Sequence, residues 1–135
     1  MKRLFLDANV LFTAAHNPDG KAALIISFGE AGILQIRTSA FAAEEARRNL
    51  SAKFPNTLMQ FSEIFQTAAI VPERPDAPFP PDLTEKDRPI FQAALACKAT
   101  HLITGDIAHF GGFMRRPAKT LGIVIMTPAQ FLDSL

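Results

Sequence analysis

Tryptophan and tyrosine are absent from this 135-residue chain, and cysteine occurs once. A single Cys97 excludes an internal disulfide framework and fits a reducing compartment. Its setting in AALACKA reads as helix, where a free cysteine packs as a small hydrophobe. No Cys-x-x-Cys or His-Glu-x-x-His spacing occurs, which removes the usual zinc centres. Without Trp or Tyr, stacking on nucleobases would fall to Phe or Arg. A dominant charge is lacking too: 14 Lys and Arg against 13 Asp and Glu leave a formal net +1. Attraction to nucleic acid must then come from a local patch. No apolar run is long enough to span a membrane. The apolar stretch between Arg3 and Asp7 is too short for a signal-peptide core. The expectation is an unprocessed cytoplasmic protein without a membrane partner.

What is present suits a globular domain. Apolar residues make up 48% of the chain and charged ones 20%, and residues 1–135 read as a single domain able to bury a core. Arg3 to Leu6 reads as a buried strand and Lys21 to Glu30 as a helix stopped near Gly32. Ile33 to Arg37 reads as a second strand, and Ser39 as the cap of a helix running to about Lys53. An amphipathic helix over Asn56 to Thr67 and a short strand Ala69 to Val71 follow. Pro72 to Pro81 is a proline-rich extended connection. Then come a helix Pro89 to Ala99, a strand His101 to Thr104 and a strand Gly122 to Met126. Pro128 opens a last helix, as proline can in a first turn. The strands are apolar runs, as expected when both faces of a sheet are covered. The fold class is three-layer α/β with a mainly parallel sheet, which binds ligands at the carboxyl ends of its strands.

Four acids fall at that edge. Asp7 follows the first strand directly, and Asp106 follows HLIT by one glycine. A helix of about 13 residues travels roughly 20 Å and the strand after it about 15 Å back, so Asp87 returns to the side of Asp106. Glu45 lies one turn into the helix that starts after the second strand. An inward stripe of Phe41, Ala42, Ala46 and Leu50 puts Glu45 on its flank and Glu44 nearly opposite, where it can pair with Arg48. A stripe of Ala43, Ala46, Leu50 and Phe54 would favour Glu44 instead. Each acid also has a local reading: Asp7 as a turn cap, Asp87 as an N-cap, Asp106 bonding the Gly105 turn, and Glu45 as a solvated helix charge. Gathered carboxylates repel unless a cation sits among them, and oxygen donors of this kind suit Mg²⁺ or Mn²⁺.

The ordered set LDANVL, EEARRNL, KDRPIFQAALACKATHLITGD with a following HF, and GIVIMTP-AQFL resembles the PIN-domain nucleases, which share a FEN-like core. The resemblance covers nearly the whole chain. It is similar in particular to the VapC-type toxin ribonucleases of toxin–antitoxin systems. It implies a PIN-like fold and one or two Mg²⁺ or Mn²⁺ ions on Asp7, Glu45, Asp87 and Asp106. It also implies that Asn9 holds Asp7 or its loop, and that Thr104 orients a carboxylate or water. His109 stands where a subgroup of the family often has histidine, and equally reads as a loop residue packing near Phe110. The implied activity is hydrolysis of phosphodiesters in single-stranded RNA. Relatives include toxins with a cognate antitoxin and nucleases that process RNA in a housekeeping role, and they are often homodimers; in this chain the apolar helices near Leu24 to Phe28 and Leu58 to Phe65 could bury against a second copy.

Substrate grip would come from Arg48, Arg88, Arg115 and Arg116, with Arg47 and Lys119 nearby, provided they face the acids. Two other Asp-after-strand families fit poorly. A haloacid-dehalogenase-type phosphatase needs a second acid where Asn9 stands. A receiver domain needs an acidic pair where Leu6 precedes Asp7. A PIN-like module that has lost its chemistry remains the alternative from another class, and divalent-metal binding separates it from a nuclease.

Overall fold

The computed structural model describes residues 1–135. Five parallel strands form one sheet: β1 (Arg3–Leu6), β2 (Gln35–Ser39), β3 (Ala69–Val71), β4 (His101–Ile103) and β5 (Val124–Met126), in the order β3-β2-β1-β4-β5. Leu4, Phe5 and Leu6 of β1 have no exposure, because helices cover both faces of the central strand. The register sets Leu4 beside Ile36 and His101, and Phe5 beside Leu102. Thirty-one buried apolar residues form one contiguous cluster around this sheet.

Seven helices flank the strands: α1 (Ala8–His16), α2 (Lys21–Glu30), α3 (Ala40–Lys53), α4 (Leu58–Ile64), α5 (Arg88–Ala96), α6 (Ile107–Phe110) and α7 (Pro128–Asp133). Helix α1 packs against α2, α3 and α4, while α5 touches both β2 and β4 and so crosses β1. The chain leaves β1 toward β2 on one side and returns at β4 on the other. That reversal places a crevice beyond the carboxyl ends of β1 and β4, where doubly wound folds bind ligands. No helix is long and apolar enough to cross a membrane.

Several departures from the sequence reading have local causes. Helix α1 was not anticipated. It begins with no linker after β1, because the Asp7 side chain accepts from the Ala8 N–H and the Asp7 carbonyl accepts from Val10 and Leu11. The second strand starts at Gln35 rather than Ile33. Gly32 (φ 76°) ends α2 in a Schellman motif, with Ile33 N–H on the Phe28 carbonyl and Gly32 N–H on Gly29, and this consumes the first residues of the expected strand. The expected helix over Asn56 to Thr67 is shorter: a 3₁₀ turn at Pro55–Thr57 precedes α4, and i→i−3 bonds from Phe65, Gln66 and Thr67 tighten its end. Helix α5 stops at Ala96 instead of Ala99. Lys98 takes the left-handed conformation (φ 60°) and its neighbour Ala99 bonds back to Ala94. Cys97 caps that end, half-buried against the core, and burial pushes its thiol up.

Candidate active site

The carboxyl edge of the sheet is crowded with helix starts. Asp7 caps α1, Ser39 caps α3, Asp106 caps α6 and Thr127 caps α7, each through a side-chain oxygen accepting a backbone N–H. Short strands that run directly into helices produce this pattern. It directs several unsatisfied N–H groups and the positive ends of helix dipoles toward one edge.

Asp7 is the most enclosed of the acids, 5% exposed. Its Oδ1 accepts from Ala8 N–H at 2.7 Å, and its Oδ2 accepts from Thr104 Oγ1 at 2.8 Å and Asn9 Nδ2 at 3.2 Å. Burial pushes its carboxyl up to about 6. The Thr104 hydroxyl and the Ala8 amide pull the other way, and the negative charges of Glu45 and Asp87 push upward again. Asn9 and Thr104 bind β1 to β4 beyond the last ladder bond. Asn9 Oδ1 accepts from Gly105 N–H at 2.7 Å, and Thr104 Oγ1 accepts from Asp106 N–H at 3.1 Å. Gly105 leaves the room for this: a Cβ there would stand 3.2 Å from Asn9 Oδ1.

Asp87 ends a 3₁₀ turn (Glu85–Asp87) ahead of α5 and is buried. Thr84 donates its hydroxyl to Asp87 Oδ2. Asp106 Oδ1 accepts from His109 N–H at 3.1 Å. His109 Nδ1 lies 3.0 Å from Asp87 Oδ2 and 2.9 Å from Asp106 Oδ2. Donor atoms of Asp87, Asp106 and His109 all lie within 4.8 Å of one another.

Glu45 is half-buried, and its charge is felt at Asp7. Glu44 faces solvent and is bound by Arg47 at 2.6 and 2.9 Å, with Arg48 at 3.9 Å. The helix buries Ala42, Ala46 and Leu50. Phe41, placed in the inward stripe from sequence, is 42% exposed. Its N–H instead donates to Glu73 at 2.8 Å, which pins the start of α3 to the proline-rich segment.

No Lys or Arg stands within ion-pair distance of Asp7, Glu45, Asp87 or Asp106; the side chain that meets the cluster is the His109 imidazole. The donor set is hard oxygen plus one imidazole, and Asp7 is ionised only against its own desolvation. Such a set fits a divalent cation.

The cations foreseen from sequence lie on several different elements. Arg48 is exposed on α3. Arg88 donates from Nε to the Leu83 carbonyl at 3.0 Å and lies 4.5 Å over the Phe79 ring, bracing the approach to Asp87. Arg115 and Arg116 are exposed beside β5, where Met114 bridges Ile125, two strand spacings or roughly 10 Å from β4. An open groove of about 730 Å³ leads away from Gly105 and Asp106 past Asn9, Thr13 and Asn17 to Lys21. Neither that groove nor Thr84 was foreseen. The threonine had a legible signal, since Ser or Thr three residues before an acid marks a helix start.

The fold and the edge together define a doubly covered α/β domain with a carboxylate cluster at its switch point. The family model described as PIN domain matches residues 3–108, and the chain belongs to the PIN-domain family, a family of nucleases. No curated protein matches it in sequence. Among solved structures it is similar to a chain of VapBC2 from Rickettsia felis bound to a DNA fragment from their promoter. That match has 13% identity and a TM-score of 0.65, and covers 93% of this chain and 98% of that one.

Proposed function

We propose that the whole chain is one nuclease domain that hydrolyses phosphodiester bonds in single-stranded RNA with Mg²⁺ or Mn²⁺. The observation that carries this reading is the convergence of Asp7, Glu45, Asp87 and Asp106 at one sheet edge with no Lys or Arg to neutralise them. One or two ions held there would activate water toward phosphorus and stabilise the leaving oxygen. Asp7, Asp87 and Asp106 would hold the cation from strand ends and the α5 start, and Glu45 from α3. Asn9 and Thr104 fix the Asp7 carboxylate in one orientation. Arg48, Arg88, Arg115 and Arg116 would take flanking phosphates, and Lys21 would meet a strand lying in the groove beside Asp106. The test is cleavage of a labelled single-stranded RNA with added Mn²⁺. Wild type should cut and Asp7→Asn should not; equal cutting by both would sink the reading. A silent module of the same fold would also show no Mn²⁺-induced rise in melting temperature, whereas saturating a site adds a few kcal/mol.

The biological setting we propose is the toxin of a type II toxin–antitoxin pair in the cytoplasm. The likeness in fold to a chain of VapBC2 motivates this. Exposed Leu24 and Met59, on α2 and α4, are surfaces that an antitoxin or a second copy would cover. Growth arrest on expression, relieved by a small neighbouring reading frame, separates the toxin from a housekeeping RNA-processing nuclease.

A further inference from the structure

We propose that His109 is itself a metal ligand, giving the centre a mixed nitrogen and oxygen donor set that favours Mn²⁺ over Mg²⁺. The inference rests on the metal reading of the acidic edge and adds one residue and a selectivity to it. Two distances carry it. Nδ1 of His109 lies 3.0 Å from Asp87 Oδ2 and 2.9 Å from Asp106 Oδ2. Adjacent ligands of an octahedral ion with bonds of about 2.1 Å stand about 3.0 Å apart. The imidazole nitrogen is therefore spaced from both carboxylate oxygens as a neighbouring corner of one coordination shell. It reaches that position from α6, a single turn whose N-cap is Asp106 and whose third residue is His109. The Asp106 side chain thus fixes both the start of α6 and the aim of the ring.

A lone proton on Nδ1 would be shared between the two oxygens in a weaker three-centre bond. A cation above the three atoms satisfies all of them. Magnesium takes oxygen ligands and keeps its waters, whereas imidazole is a ligand of transition ions. A histidine in the first coordination sphere thus shifts preference toward manganese.

The other two histidines lie elsewhere. His16 stacks on Phe54 at 4.6 Å at the far end of α1, and His101 starts β4 at the opposite edge of the sheet. A nitrogen signal from bound Mn²⁺ is therefore assignable to His109 alone. The experiment is pulsed electron paramagnetic resonance of the full chain loaded with one equivalent of Mn²⁺, together with calorimetric titration of Mn²⁺ and Mg²⁺. Wild type should show imidazole ¹⁴N coupling. His109→Ala should lose that coupling, bind Mn²⁺ about tenfold more weakly, and bind Mg²⁺ nearly as before. Bound Mn²⁺ without nitrogen coupling in wild type overturns the assignment and leaves the carboxylate site standing. Coupling that persists in His109→Ala, or equal losses for both ions, overturns it too. Binding of Mg²⁺ but not Mn²⁺ overturns the assignment alone, and binding of neither ion overturns the assignment and the nuclease reading together.

Discussion

Thr104 Oγ1 donates to Asp7 Oδ2 at 2.8 Å across the carboxyl ends of β1 and β4, while accepting from the Asp106 N–H at 3.1 Å. One hydroxyl thereby ties the first acid to the fourth. Thr104→Val keeps the shape and removes these bonds, along with the one that Thr104 Oγ1 accepts from Asn9 Nδ2 at 3.3 Å. The Asp106 N–H loses its acceptor and Asp7 loses a donor, costing about 1–3 kcal/mol of stability. Asp7, already pushed up to about 6, loses one of the bonds that restrain the shift. Mn²⁺ affinity should fall between about 10- and 100-fold, with Thr104→Ser near wild type. Calorimetry and denaturant unfolding read the two effects, and unchanged Mn²⁺ affinity in the valine variant would remove Thr104 from the site.

Asp7 also makes a pH signature. Its carboxyl sits at about 6 in the folded chain against 3.8 as the ordinary value. Between those values the native state holds the proton and the unfolded chain has released it. Stability contributed by this group is therefore present below about pH 4 and is lost as pH rises through about 6. The loss is about 3 kcal/mol. Asp7→Asn keeps an N-cap oxygen and cannot ionise. The metal-free Asp7→Asn protein should gain on wild type by that amount between pH 4 and pH 7, and saturating Mn²⁺ should close the gap. A wild-type-minus-variant difference that stays flat across this range would mean that Asp7 is not held in a desolvated state.

The edge that carries Asp7 and Asp106 was legible because short apolar strands followed at once by an acid have one geometry in a parallel sheet. Asp87 was legible because a helix and a strand of known rise bring the chain back. The residues that complete the arrangement were less so. Thr84 and His109 act through side-chain contacts set by one turn of 3₁₀ or α-helix, and no periodicity marks so short an element. Helix α1 escaped because LFLDANVLF runs strand into helix with only Asp7, Ala8 and Asn9 between its apolar runs. Its start depends on the side-chain cap at Asp7. The left-handed Lys98 was hidden for another reason: the usual helix stop is glycine, and here a lysine takes that conformation while the Ala99 N–H bonds back to Ala94.

Glu44 and Glu45 are adjacent but differently placed. Glu44 is solvent-facing and paired with Arg47, which holds its carboxyl below the ordinary value. Glu45 is half-buried, and its charge raises the proton affinity of Asp7. Glu45→Gln should weaken Mn²⁺ binding by about tenfold or more and cut RNA cleavage at least as strongly. Glu44→Gln should leave both within about twofold, as expected for an exposed ion pair worth little. Paired titrations of the two variants decide the matter, and the reverse ranking would move the second acid to Glu44.

Lys98 offers a stability test remote from the chemistry. It occupies the position after the α5 cap with φ 60°, a conformation that costs a residue with a side chain about 1–2 kcal/mol. Lys98→Gly removes the clash but loosens the unfolded chain. The net gain should be about 0.5–1 kcal/mol, a rise of about 2–4 °C in Tm. The Lys98 carbonyl would still accept from Arg3 Nε. Lys98→Ala should give no such gain, so a matching rise in the alanine variant would trace the effect to lost charge instead.

Gly29 tests the opposite case, where space rather than dihedral angle requires glycine. It lies inside α2, and a Cβ there would meet Ile36 Cγ1 at 2.5 Å and Thr67 Cγ2 at 2.9 Å. Ile36 belongs to β2 and is 3% exposed, so it has little room to move. Alanine is the better helix former by about 1 kcal/mol, yet overpacking typically costs about 1–3 kcal/mol. The second effect should win, because the contact presses α2 off the strand that leads into Ser39 and α3. Gly29→Ala is expected to lower stability by about 1–2 kcal/mol. The double variant Gly29→Ala with Ile36→Ala removes Ile36 Cγ1, the atom that the new methyl would meet. It should be less destabilised than the sum of its parts, since neighbouring changes couple. Chemical denaturation of the four proteins of this cycle measures the coupling, and strict additivity would show that α2 and β2 do not meet at this point.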